Sequence, residues 1–89
     1  MAQRISYRVH GKVQGVFFRA FTQEKAQSYG ITGFVKNTSD GKVEGEAQGN
    51  EDALQKFLKD ISEGPKHAHV VKVEKSTIDT KDGESSFER

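Results

Sequence analysis

Eighty-nine residues, a third of them hydrophobic, support one core, so a single domain over residues 1–89 is expected with every element packed on a shared interior. Fourteen Lys and Arg against 13 Asp and Glu leave a formal net charge of +1, which excludes a strong overall field for nucleic acid or an anionic membrane, so any anion site has to be local. The lack of cysteine excludes disulfides, thiolate nucleophiles and Cys-based metal sites; with no signal-like or spanning apolar run, a soluble cytoplasmic chain is expected.

Ile5, Tyr7 and Val9 alternate with Ser6, Arg8 and His10, which predicts a first strand over Arg4–His10 with one buried face. The loop Gly11-Lys-Val-Gln-Gly-Val-Phe-Phe-Arg19 then feeds a helix predicted over Phe18–Tyr29, on which Phe18, Phe21, Thr22, Ala26 and Tyr29 gather on one side. Lys25 interrupts that stripe and must lay its stem along the core while its amine reaches water. Gly30 stands where a left-handed residue ends a helix. Ile31–Thr38 reads as a second strand and Ser39-Asp40-Gly41 as a hairpin turn. In Lys42–Gly49, Val43, Gly45 and Ala47 alternate with charged and amide side chains, as in a sheet covered on one side.

Asn50 is a helix N-cap followed by Glu51 and Asp52, and Leu54, Phe57, Leu58 and Ile61 recur at helical spacing until Gly64-Pro65. Val70–Ile78 is a valine-rich strand, Asp82-Gly83 a turn, and Ser85–Arg89 a short last strand around Phe87. The order βαββαβ suits an α+β split βαβ sandwich: an antiparallel sheet with both helices on one face.

In this arrangement the Gly11–Arg19 loop joins a strand to a helix start, where orphan N–H groups and a partial positive charge favour a phosphate. Arg19, in the first helical turn, adds a fork of donors over the same place. Between His10 and Arg19 there is no Cys, Ser, Thr or Asp to attack phosphorus, so the nucleophile has to be water. Asn37, ending the second strand, is the candidate to hold it. An amide orients water through both its carbonyl and its NH₂ but is no general base. Such a site suits a leaving group that departs without protonation, as a carboxylate does, which points to acyl phosphates.

Gly11–Arg19 and Gly33-Phe-Val-Lys-Asn-Thr-Ser-Asp-Gly-Lys-Val-Glu44 closely resemble, in order and spacing, the two signature motifs of the acylphosphatase family; Gly64-Pro65 before a valine-rich strand is similar too. The resemblance implies a small ferredoxin-like sandwich that hydrolyses acyl phosphates without metal or cofactor. It implies that the amides of Gly15, Val16, Phe17 and Phe18 bind the phosphate together with Arg19, and that Asn37 positions the attacking water. The chain departs from the family at Phe34, often Trp, at Lys36, often Arg, and in a slightly shorter closing strand. The expected partner is a small-molecule acyl phosphate, with no nucleic acid or membrane, and a monomer is expected.

His10, His67 and His69 lack metal-ligand spacing and supporting carboxylates, although His10 borders the cradle. Lys12, Lys36 and Lys42 are candidates for steering an anion, or simply for solubility. Two rival functions share this architecture. An RNA-recognition module needs sheet-face aromatics and a basic stripe, which the third strand does not offer. A regulatory domain that binds acyl or carbamoyl phosphate for a partner protein is the other, and the short length favours a complete enzyme.

Overall fold

The computed structural model describes residues 2–15 and 17–89. In the first strand, β1 (Ala2–Lys12), the predicted alternation is realised: Ile5, Tyr7 and Val9 are buried and Arg8 is exposed. The chain continues through α1 (Phe18–Ser28), β2 (Thr32–Asn37), β3 (Val43–Asn50), α2 (Glu51–Glu63), β4 (His69–Ile78) and β5 (Phe87–Glu88). These boundaries lie within a few residues of those read from the sequence. The five strands form one sheet in the order β4-β1-β3-β2-β5. Both helices cover the face that carries Ile5, Tyr7 and Val9, contributing Phe18 and Ala26 from α1 and Leu54, Phe57 and Ile61 from α2 to the core.

Phe57 is the centre of that core. Its ring meets Tyr7 at 5.5 Å and Phe87 at 6.0 Å, both edge-on, each contact worth about 0.5–1.5 kcal/mol beyond area burial. Tyr7 donates its hydroxyl to the Phe34 carbonyl at 2.9 Å, and burial pushes its phenol well above its ordinary pKa. Gly45 makes room for this bond: a Cβ there would stand 2.0 Å from the Phe34 carbonyl oxygen and 2.6 Å from the Tyr7 hydroxyl. The small face read in β3 is thus the space that an aromatic from β1 fills.

Local rules explain the helices. Asn50 Oδ1 accepts the Ala53 N–H at 2.7 Å, with Glu51 and Asp52 at the positive end of α2. Lys25 on α1 is half-buried with its amine 5.5 Å from the centre of the Phe21 ring, a cation–π contact that accommodates the charge in the apolar stripe. Tyr29 ties the helices together by donating to Asp60 at 2.5 Å.

Two features differ from the expected antiparallel sheet with one bare face. β5 pairs parallel with β2, Gly33 opposite Phe87 and Phe34 opposite Glu88. The reason is directional: β4 ends at Ile78, level with Arg4 on β1, Gln48 on β3 and Thr32 on β2, so a chain returning along that row enters the far edge in the same sense as β2. The connecting segment is also bound to the outer face along this row. Gln48 donates to the Lys81 carbonyl at 3.1 Å and accepts its N–H at 2.8 Å. Arg4, only 2% exposed, reaches Glu46 at 2.7 Å and Glu84 at 2.8 Å. A buried guanidinium is tolerated here because two carboxylates and Gln48 occupy its donors.

Candidate active site

β1 and β2 both pair antiparallel with β3, so they run the same way and end at the same end of the sheet. β1 delivers the Gly11–Arg19 loop there, and β2 delivers Asn37, which is level with Val43 and Val9. A hollow of about 260 Å³ opens between them. It is lined by Val13, Gly15, Phe17, Phe18, Arg19 and Ala20 from the loop and the start of α1, by Asn37 from β2, and by Arg89 just past β5. This volume is below the usual range for drug-sized ligands and suits a small anion with a modest substituent.

The backbone on one wall contains two left-handed residues. Gly15 has φ 71° and Phe17 has φ 62°, ψ 20°. A left-handed residue followed by a right-handed one, as Phe17 is followed by helical Phe18, turns neighbouring N–H groups to one side. Gly15 adopts this geometry without steric cost, whereas a phenylalanine is strained by about 1–2 kcal/mol. The first turn of α1 carries no acidic residue, and no described side chain caps it. The contrast with α2, capped by Asn50 and followed by two carboxylates, is direct. The positive end of α1 has no capping side chain or carboxylate among the described residues.

Of the residues predicted from the sequence, Gly15, Phe17, Phe18, Arg19 and Asn37 come together at this hollow; Val16 lies outside the described residues. Phe18 is buried and anchors α1 in the core, so only its main chain is available to a ligand. Arg19 and Asn37 are exposed, and Arg19 makes no ion pair with a described residue. His10 is turned away, paired with Glu74 on the outer face, and this contact with His10 holds the Glu74 carboxyl below its ordinary pKa. Among the described residues, no group of three or more His, Asp or Glu is placed to hold a metal ion. Lys42 pairs with Asp40 at 2.8 Å; this contact and the Thr38 hydroxyl hold the Asp40 carboxyl at about 2.

Two residues escaped the sequence reading. Gln14 donates through Nε2 to the Thr38 and Lys42 carbonyls, each at 2.8 Å, and so fastens the loop to the turn after Asn37. Nothing local in the sequence signals this, because the acceptors are main-chain atoms 24 and 28 residues away. Arg89 joins the hollow because parallel pairing on β2 aims β5 at the same end of the sheet. A second hollow, of about 290 Å³ on the outer sheet face, sets Glu44, Glu46 and Glu74 against Arg8 and Lys75. Its charge has the wrong sign for phosphate.

The acylphosphatase family model matches residues 5–89. The chain is 46% identical over 87 residues to an acylphosphatase of Clostridium acetobutylicum, with 98% of this chain and 96% of that one covered. The crystal structure of acylphosphatase from Bacillus subtilis aligns with a TM-score of 0.92 at 35% identity, covering 99% of this chain and 97% of that one. Full-length HypF, in a phosphate- and nucleotide-bound form, aligns with a TM-score of 0.90 at 29% identity, covering 99% of this chain but 12% of that one. With a family match over nearly its whole length and the ferredoxin-like α+β fold of solved acylphosphatases, the chain belongs to the acylphosphatase family, hydrolases of acyl phosphates.

Proposed function

We propose that the hollow at the start of α1 is where this hydrolase binds and cleaves its acyl phosphate, with Arg19 and the Gly15–Phe18 amides on the phosphate and Asn37 on the attacking water. The observation that carries this reading is the meeting, in one hollow, of an uncapped helix start that bears Arg19 and of Asn37 at the end of β2, two elements from separate parts of the chain. In the reaction, the water oxygen forms a bond to phosphorus while the bond from phosphorus to the acyl oxygen breaks. The bonding pair leaves on the carboxylate, which needs no proton, and the water's proton passes to a phosphate oxygen. Asn37 aligns the water through its amide, and the loop amides with Arg19 stabilise the equatorial oxygens as the transition state loosens. Arg89 adds a second guanidinium at the mouth, which attracts the anion and steadies it in the cradle.

The test is the hydrolysis of benzoyl phosphate in the presence of chelator by the wild type and by Asn37→Ala. The expected result is turnover by the wild type that chelator leaves unchanged, and a large loss of kcat in the variant with inorganic phosphate still bound. Near-native kcat/KM in the variant would remove Asn37 from the mechanism. A second reading, suggested by the likeness to a small part of HypF, is a phosphate-binding domain that serves a larger assembly. It predicts that inorganic phosphate raises Tm while no acyl phosphate is turned over.

A further inference from the structure

Two large apolar side chains stand exposed among the described residues, Phe17 at 83% and Val71 at 67%. Val71 belongs to the edge strand β4, whereas Phe17 lines the hollow beside Arg19 and Asn37. Phe17 is also the one non-glycine residue with positive φ among those described. The cradle needs that backbone conformation but not that side chain, since glycine or asparagine adopts it with less strain. The core does not use the ring either. An exposed aromatic held in a strained conformation at the mouth of a site therefore asks for a partner that arrives with the ligand.

The substrate supplies one. A phosphate seated on the α1 amides directs its acyl substituent away from the helix and out through the mouth, where Phe17 stands. We propose that Phe17 is the platform for the acyl group, and that it makes the enzyme select acyl phosphates with an aromatic or bulky apolar acyl portion over those with a short one. This rests on the phosphate position argued above. Packing of the acyl group on the ring removes apolar surface from water on both sides and adds aromatic contact when the acyl group is itself a ring.

The experiment compares kcat/KM for benzoyl phosphate and acetyl phosphate in the wild type, Phe17→Asn and Phe17→Trp. Asparagine keeps the left-handed backbone and removes the ring, so the variant folds with less strain than the wild type. The backbone's share in the cradle affects both substrates alike, and only the ratio between them reads the side chain. The benzoyl-to-acetyl ratio is expected to fall by roughly 3- to 10-fold in Phe17→Asn and to be held or raised in Phe17→Trp. Inhibition by phenylphosphonate relative to inorganic phosphate is expected to weaken in parallel in Phe17→Asn, which reads the same contact without turnover. An unchanged ratio in Phe17→Asn, with both substrates still hydrolysed, overturns the platform and leaves the hydrolytic site standing. A fallen ratio together with near-native activity in Asn37→Ala supports the platform and overturns the water position alone.

Discussion

Gln14 and Thr38 are joined by a 2.8 Å hydrogen bond from the Gln14 side-chain amide to the Thr38 carbonyl, and the same nitrogen reaches the Lys42 carbonyl at 2.8 Å. One half of the proposed site is carried on the loop that holds Gln14, the other on the strand that ends just before Thr38. These bonds therefore hold the loop in place relative to Asn37, and with it the proposed phosphate cradle. Replacing Gln14 by Ala is expected to lower kcat/KM by about tenfold, because misplacing a water relative to phosphorus is costly even where the reacting groups are intact. Stability should fall by only about 1–2 kcal/mol. Gln14→Glu should lose more, since a carboxylate would then face two carbonyl oxygens. Steady-state kinetics with chemical denaturation on both variants checks this; wild-type kinetics in Gln14→Glu would remove the coupling.

Arg19 is the charged clamp in the proposed mechanism. Arg19→Ala is expected to reduce kcat/KM by about 10²–10³-fold, the usual scale for losing a donor to a developing oxyanion. Arg19→Lys should recover only part of this, because a point charge does not reproduce the planar fork. Competition by inorganic phosphate, measured beside the kinetics, separates lost binding from lost rate enhancement.

Arg89 approaches the same hollow from β5. Its expected signature is different: Arg89→Gln should raise KM and the inhibition constant for inorganic phosphate by a few fold with kcat nearly kept, as removal of uniform binding does. The effect should shrink as salt rises, since the group is exposed and screened. A fall in kcat with KM unchanged would move Arg89 from binding to the transition state.

The pairing of Arg4 with Glu84 gives the fold a pH dependence away from the site. Hydrogen bonding to Arg4 holds the Glu84 carboxyl below its ordinary pKa. A depressed folded-state pKa contributes stability that is complete above the ordinary carboxylate value near 4.3 and is lost as pH falls through the lower folded value. Glu84→Gln is therefore expected to cost about 1–3 kcal/mol at pH 7. The gap from wild type should close as pH drops below about 4, and denaturant titrations at pH 7 and pH 3 measure it. An equal gap at both pH values would show that packing, not charge, holds this segment.

The element order, the hairpin at Ser39-Asp40-Gly41, the Asn50 cap and the inward set Ile5, Tyr7, Val9, Val43 and Ala47 could all be read from the sequence, because each follows from contacts within a few residues or from a period of two or 3.6. The position of the Gly11–Arg19 loop between β1 and α1, and of Asn37 at the end of β2, was legible in the same way, from the local strand and helix patterns that flank them. The parallel entry of β5, the burial of Arg4 and the Gln14 bridge were decided only in three dimensions. Each depends on which strands become neighbours, and that choice rests on core packing far along the chain. Arg89 entered the hollow for the same reason: it is the direction of β5, set by the return path from β4, that carries a cation to the end of the sheet where the loop and Asn37 meet.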